Sequence, residues 1–161
     1  MSVEAVRRAL NEAGFSGQVR ELEESSATVE LAAAALGCEG ARIAKTLSFL
    51  TANGPVLVVA AGDARVDNHR FKEQFGEKAR MIPAGQVEAL VGHAPGGVCP
   101  FALLPGVRTY LDESLRRFET VFPAAGSSNS AVEMTLPQLE HCCDGFVQWV
   151  DLCRGWRETG L

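Results

Sequence analysis

The sequence predicts an α/β chain of the α+β type, one domain over residues 1–161, built on a mixed, mostly antiparallel sheet with peripheral helices. Three observations predict it. Asn53-Gly54 lies between two apolar runs, residues 43–50 and 56–60, and Asn-Gly in that setting marks an antiparallel hairpin, which belongs at the centre of the sheet. Helical and strand segments interleave without the regular strand-helix-strand rhythm of a doubly wound sheet. A length of 161 residues with 47% apolar and 22% charged side chains suits one domain with a substantial core.

The elements follow in order. Ser2 can cap a first helix that carries Val3, Val6 and Leu10 on one face and ends near Gly14, and residues 18–22 make a short strand candidate. Thr28 precedes an Ala-rich helix over residues 29–36, stopped at Gly37. The first hairpin strand follows, and Asp67 then caps a helix on which Phe71 and Phe75 recur at i, i+4 before Gly76 closes it. Residues 79–82 read as another strand and 86–91 as a short helix ending at Gly92. Two prolines and two glycines between Pro95 and Pro100 exclude a helix from residues 93–101 and fix a loop there. Further strands are expected at 107–111, 118–122, 131–134 and 145–150, and Thr135-Leu136-Pro137-Gln138 has the pattern of a capping box with an early proline.

Lys45 is the residue that stands out. In a strand, Ile43, Lys45, Leu47 and Phe49 share one face and Ala44, Thr46, Ser48 and Leu50 the other, so an ammonium falls among the bulkier apolar side chains. Such a position implies a cleft with an anionic partner, a strand end that reaches water, or an inward charge protecting a sheet edge. The net charge of −5 is unevenly spread. Residues 42–80 hold seven Lys/Arg against four Asp/Glu, and in that segment Arg42, Arg65, Arg70 and Lys72 supply a candidate phosphate-binding surface or an ordinary solvated face. No apolar run approaches the ~20 residues that span a bilayer, and the amino terminus lacks a secretory pattern, so the expected location is the cytoplasm. Five cysteines without a C-x-x-C pair point to neither a disulfide framework nor a zinc site, and the expected metal content is none. The dinucleotide, P-loop, serine-hydrolase and zinc-protease motifs are all absent from the sequence.

Several segments recur together in a known order: Ser25-Ser26-Ala27-Thr28, Ala33-Ala34-Ala35-Leu36-Gly37, Arg42-Ile43-Ala44-Lys45-Thr46-Leu47, Gly62-Asp63-Ala64-Arg65-Val66-Asp67, Gly96-Gly97-Val98-Cys99-Pro100-Phe101 and Ala125-Gly126-Ser127-Ser128-Asn129. Over roughly residues 20–145 the chain resembles the YbaK/EbsC family of aminoacyl-tRNA deacylases, which is similar to the editing domain inserted in bacterial prolyl-tRNA synthetases. The strand lysine, matched by Lys45, and a G-x-x-x-P loop, matched by Gly96 to Pro100, are its most specific pieces.

The resemblance implies a YbaK-like, partial-barrel fold. It further implies a free-standing enzyme that hydrolyses the ester of a mischarged tRNA without a cofactor. Aminoacyl-tRNA is the implied partner and an aminoacyl-tRNA synthetase a further one, with no DNA and no membrane. A non-catalytic tRNA- or synthetase-binding module of the same fold is the alternative, and a small-ligand protein with a merely solvated basic face is a third. Backbone amides of Gly96, Gly97, Val98, Cys99 and Pro100's loop are the implied oxyanion donors. Lys45 is the implied catalytic group, better suited as a cation to hold charge than to remove a proton. Some family members use the substrate's own ribose hydroxyl or thiol as the reacting group.

Thr46, Gly126, Ser127, Ser128 and Asn129 either bond the amino acid or ribose or serve turn chemistry. His93 beside the loop reads more readily as a surface turn residue, and Cys99 as small apolar packing, with no histidine partner identifiable. The uncharged stretch from Gly126 to Ser130 departs from the basic cluster of the Cys-tRNA subgroup. It favours alanine or serine over cysteine as the edited amino acid, on tRNA-Pro or a related tRNA.

Overall fold

A two-residue turn, Ala52-Asn53, sets the register of the whole sheet. It joins β2 (Ile43–Thr51) to β3 (Gly54–Ala61), with Thr51 opposite Gly54 and Lys45 opposite Ala60. The turn residues keep negative φ, and Gly54 behind them takes φ 105°, so the glycine serves as the left-handed residue after the turn and not within it. The computed structural model describes residues 2–157. The side chain of Ser2, and with it the expected cap, lies outside the described residues.

The remaining elements are α1 (Ser2–Glu12), β1 (Arg20–Glu21), α2 (Val29–Leu36), β4 (Arg65–Val66), α3 (Asn68–Phe75), α4 (Ala84–Val91), β5 (Arg108–Asp112), β6 (Thr120–Pro123), β7 (Ser130–Ala131), β8 (Met134–Thr135), α5 (Leu136–Cys142), β9 (Phe146–Val150) and β10 (Cys153–Arg154). Six strands form one mixed sheet in the order β8-β6-β2-β3-β5-β9, curled into a half-barrel with the predicted hairpin at its centre. The pairings of β2 with β3 and of β6 with β8 are antiparallel, while β2–β6, β3–β5 and β5–β9 are parallel. Two small antiparallel ladders, β1–β7 and β10–β4, flank it.

Local signals explain the helices. Thr28 accepts a hydrogen bond from the Leu31 N–H at 3.1 Å and Gly37 closes α2 in the left-handed region. Asp67 accepts from the N–H groups of His69 and Arg70 to start α3. The capping box of α5 is formed in both directions, with Thr135 and Gln138 exchanging bonds of 2.9 and 3.3 Å.

Both faces of the central strands are covered. On one side Phe71 of α3 packs with Phe49, Val56, Val58 and Tyr110, and Ala32 of α2 packs with Ile43 and Phe122. On the other, Val6 and Leu10 of α1 and Leu139 of α5 pack over Ala44, Val59 and Leu111, while Val87 and Val91 of α4 cover Leu57. Two strand predictions change. Residues 79–82 form no strand but make a single bridge, Met81 to Phe49, along the edge of β2, because the alternation there is satisfied by one crossing of that edge. The strand expected at 131–134 is two short ones, β7 and β8, that pair with different partners.

Candidate active site

The outer edge of β2 is paired at both ends and open in the middle. β6 runs beside it only at Ile43 and Ala44. Further along, the Leu50 N–H donates to Arg80 O at 2.8 Å and the Ile82 N–H donates to Ser48 O at 3.1 Å. Ser48 and Leu50 thus turn their backbone polar groups away from β3, and by the two-residue period of a strand so does Thr46. Its N–H and C=O face a stretch of edge that no strand fills.

A cavity of about 290 Å³ occupies that gap. Its apolar lining includes Val29, Ala32 and Leu36 of α2 with Ile43 and Phe122, and its polar lining Ser26, Thr28, Lys45, Thr46 and Ser130. Gly96 and Val98 close it from the loop side. Thr46 lines the cavity, and its buried Oγ1 has no protein partner, so its hydrogen-bonding capacity is unspent. The Gly96 and Val98 N–H groups likewise have no protein acceptor among the described bonds.

Lys45 is half-buried, and its donors go to main-chain oxygens and not to a carboxylate: Nζ donates to Ala64 O and, at 3.4 Å, to Gly62 O. Burial holds its pKa below the ordinary lysine value, against the opposing pull of the Cys153 thiol and the Asp63 carboxylate. Asp63 itself is gripped by Arg117 in a two-pronged pair at 2.9 and 2.5 Å.

The structure sorts the remaining sequence candidates. Gly97 is buried, and a Cβ there would fall 2.8 Å from the Gly126 carbonyl and the Ser127 Cα, so this glycine admits the neighbouring loop and not a ligand. Its N–H is spent on Ala94 O at 3.0 Å. Gly126, Ser127 and Ser128 line a second cleft, with Pro95 and Gly97, and not the cavity that Lys45 lines, although the Ser128 carbonyl accepts from Ser26 at its border. Asn129 ties that loop down, donating to Leu22 O at 3.0 Å and accepting from Ser127 Oγ at 2.9 Å. Cys99 and Pro100 are buried and do not reach the cavity.

His93, expected at the surface, is fully buried. Its Nε2–H donates to Phe101 O at 2.6 Å, and the Cys99 sulfur lies 3.5 Å from the same nitrogen. A histidine neighbour for Cys99 therefore exists, but burial pushes the thiol up to about 12, so it carries no thiolate at neutral pH.

The four predicted phosphate-binding residues do not form one patch. Arg42 stacks on Phe122 at 5.0 Å and pairs with Glu133 at 3.4 Å, and Arg70 pairs with Asp151 at 2.8 Å. Arg65 on β4 and Lys72 on α3 remain exposed. Sequence reasoning missed the α2 wall and had Ser130 only as the end of the uncharged Gly126–Ser130 stretch; Ser26-Ala27-Thr28 carried the resemblance, but nothing in the sequence placed it against Lys45. Among the described residues no three His, Cys, Asp or Glu side chains gather as a metal-ligand set, and no helix is long and apolar enough to cross a membrane.

Comparison with known proteins places the fold in a family. The uncharacterized protein YwhH of Bacillus subtilis (strain 168) is 47% identical over 157 residues, 97% of this chain and 99% of that one. A solved structure described as "a putative trans-editing enzyme for prolyl tRNA synthetase" superposes with a TM-score of 0.86 at 32% identity, covering 96% of this chain and 98% of that one. The hypothetical protein APE2540 superposes with a TM-score of 0.83 at 30% identity, covering 93% and 99%. The aminoacyl-tRNA editing domain matches residues 23–142, a span that holds every cavity residue named above, and the chain belongs to that family.

Proposed function

We propose that the protein is a free-standing trans-editing deacylase that hydrolyses the ester of a mischarged tRNA, with the aminoacyl group in the cavity at the open edge of β2. The observation that carries this reading is one small cavity at the open edge of β2 whose lining combines the apolar wall of α2 with Lys45, Thr46 and the Gly96–Val98 loop. A volume of about 290 Å³ lies at the low end of the roughly 300–1,000 Å³ of ligand pockets. It suits a small side chain such as that of alanine or serine, with cysteine as the next in size, and leaves the terminal adenosine outside. The tRNA is tRNA-Pro or a related one, a choice supported by the likeness to the trans-editing structure.

In the reaction, water adds to the ester carbonyl carbon, the carbonyl oxygen becomes an oxyanion, and the ribose oxygen leaves as a hydroxyl with the proton that water gives up. The products are free amino acid and uncharged tRNA. The Gly96 and Val98 amides supply donors for the carbonyl oxygen, each worth about 3 kcal/mol when preorganised in a closed site, and Thr46 Oγ1 is a further one once its rotamer turns toward the ligand. Lys45 keeps the polar lining positive and fixed through its bonds to Gly62 and Ala64. The substrate's own neighbouring ribose hydroxyl passes the proton, so no protein base is required.

A panel of mischarged tRNAs tests the reading. Esters of a small amino acid should be cleaved well above their spontaneous rate, and Lys45→Ala should lower kcat/KM by about 100-fold or more. If no ester is cleaved faster than it hydrolyses alone, the enzyme reading fails, and tRNA binding that persists would identify a binding module. With Lys45 acting as a cation, the ratio of enzymatic to spontaneous rate falls as pH rises through its lowered pKa; a base would give a rise.

A further inference from the structure

Most arginines of this protein are spoken for: Arg7, Arg20, Arg42, Arg70, Arg116, Arg117 and Arg157 all pair with carboxylates. The side chains of Arg65 and Arg154 have neither a hydrogen bond nor an ion pair among the described residues, and both residues are exposed. They are also directly opposite each other, as Cα partners on the β4–β10 ladder, so their side chains leave the same face. Like charges placed this way repel and weaken a ladder, and here no carboxylate is bound to either. Asp67 lies within the electrostatic reach of Arg154, but its carboxylate is engaged by the His69 and Arg70 N–H groups.

The ladder runs beside the catalytic cleft. Lys45 Nζ donates to the carbonyl of Ala64, the residue before Arg65, and the Cys153 thiol, one residue before Arg154, lies within electrostatic reach of the same ammonium. We propose that Arg65 and Arg154 together form a phosphate clamp that grips the RNA backbone of the substrate next to the Lys45 end of the cavity. The inference rests on the aminoacyl-tRNA reading of that cavity and adds to it a residue, Arg154, outside the span matched by the editing domain. Guanidinium forks match phosphate oxygens bidentately, and two of them on one rigid ladder would hold a single phosphodiester or two adjacent ones without cost in loop ordering. The unrelieved repulsion is the sign of a site built for an anion, and the location next to the ester-binding end favours the strand that carries that ester.

The test is binding of an uncharged tRNA-Pro transcript across a salt titration, comparing the wild-type chain with R65Q/R154Q and with R8Q, which removes another exposed and unpartnered arginine on α1. The double variant should bind about 10- to 30-fold more weakly near 0.15 M salt, and its log-affinity against log-salt slope should be shallower by about 1.5–2. Its Tm should stay level or rise, because the repulsion is gone. R8Q should retain wild-type affinity and slope. An unchanged slope in the double variant, an equal loss in R8Q, or a fall in Tm that accompanies the loss would each overturn the clamp. A slope unchanged for tRNA but altered for an acidic peptide would assign the pair to a protein partner and also overturn it. Because the probe carries no amino acid, a chain that binds through the pair yet cleaves no ester would keep the clamp and remove the deacylase reading.

Discussion

The two sides of the central hairpin are built differently. Beyond β3 the sheet continues through β5 to β9, and both faces of β3 and β5 are filled by apolar side chains, with α1, α3, α4 and α5 packed over them. Beyond β2 the pairing with β6 stops after Ala44 and resumes, in a different form, only at Ser48. The closed side supplies rigidity. The open side leaves a backbone edge at a cavity that Lys45 and Thr46 both line, so a ligand completes there what a strand completes elsewhere. Substitutions on the closed side should therefore cost stability, and substitutions on the open side should cost activity at little or no cost in stability.

The largest effect is expected at Phe71, fully buried between Phe49 and Phe75 with ring centroids 4.8 and 4.5 Å away. Phe71→Ala should lower unfolding free energy by about 3–5 kcal/mol in urea denaturation. Retention of stability would mean that α3 does not anchor the closed side.

Gly97→Ala comes next and lies at the boundary between the two sides. A methyl group there must push the 126–127 backbone away, at about 1–3 kcal/mol, and should move Gly96 and Val98 away from the cavity, lowering kcat more than it raises KM. Thr46→Val sharpens the contrast. It removes a buried hydroxyl that has no protein partner, so stability should hold or increase by up to about 1 kcal/mol, while deacylation falls by about 10-fold. A Thr46→Val variant that is destabilised but fully active would invert the comparison.

The smallest effect concerns pH. Burial lowers the pKa of His93 below 6.5 despite the Phe101 carbonyl, which favours the protonated ring. A base with a depressed folded pKa binds its proton more readily when unfolded, so its stability contribution is full above 6.5 and is lost as pH falls from there through the folded value. His93→Gln, whose amide can still donate to Phe101 O, should flatten the decline in stability between pH 7.5 and 5, measured by chemical denaturation at each pH.

Much of this was legible in the sequence where the signal was local. Thr28 and Gly37 bound α2 at both ends, Asp67 and Gly76 bound α3, and Thr135 with Gln138 opens α5, because a cap bonds within four residues of itself. Lys45, Thr46, Gly96 and Val98 were also nominated from sequence and converge on the cavity.

What failed depended on distant partners. Whether residues 79–82 form a strand is decided by how much of the β2 edge is vacant, and whether 131–134 is one strand or two by β1 and β6. His93 carries the composition of a surface turn, yet the fold over it is set by Phe101. Cys99, Gly97 and Pro100 sit in the right loop, but alternate residues of a loop cannot all face one cavity. Charge counting gathered Arg42, Arg65 and Arg70 by proximity in sequence, whereas acidic partners far along the chain neutralise two of them and Arg154 joins the third.

The central claim is that the open edge of β2 is the aminoacyl site. It is tested most directly by NMR titration with 3′-alanylamino-3′-deoxyadenosine, whose amide replaces the labile ester. The account predicts backbone shift changes concentrated at Thr46, Gly96, Val98 and Ser130, weakened in Thr46→Val. Changes confined instead to the cleft behind the loop, at Pro95, Gly126 and Ser128, with Thr46 and Gly96 unmoved, would contradict it.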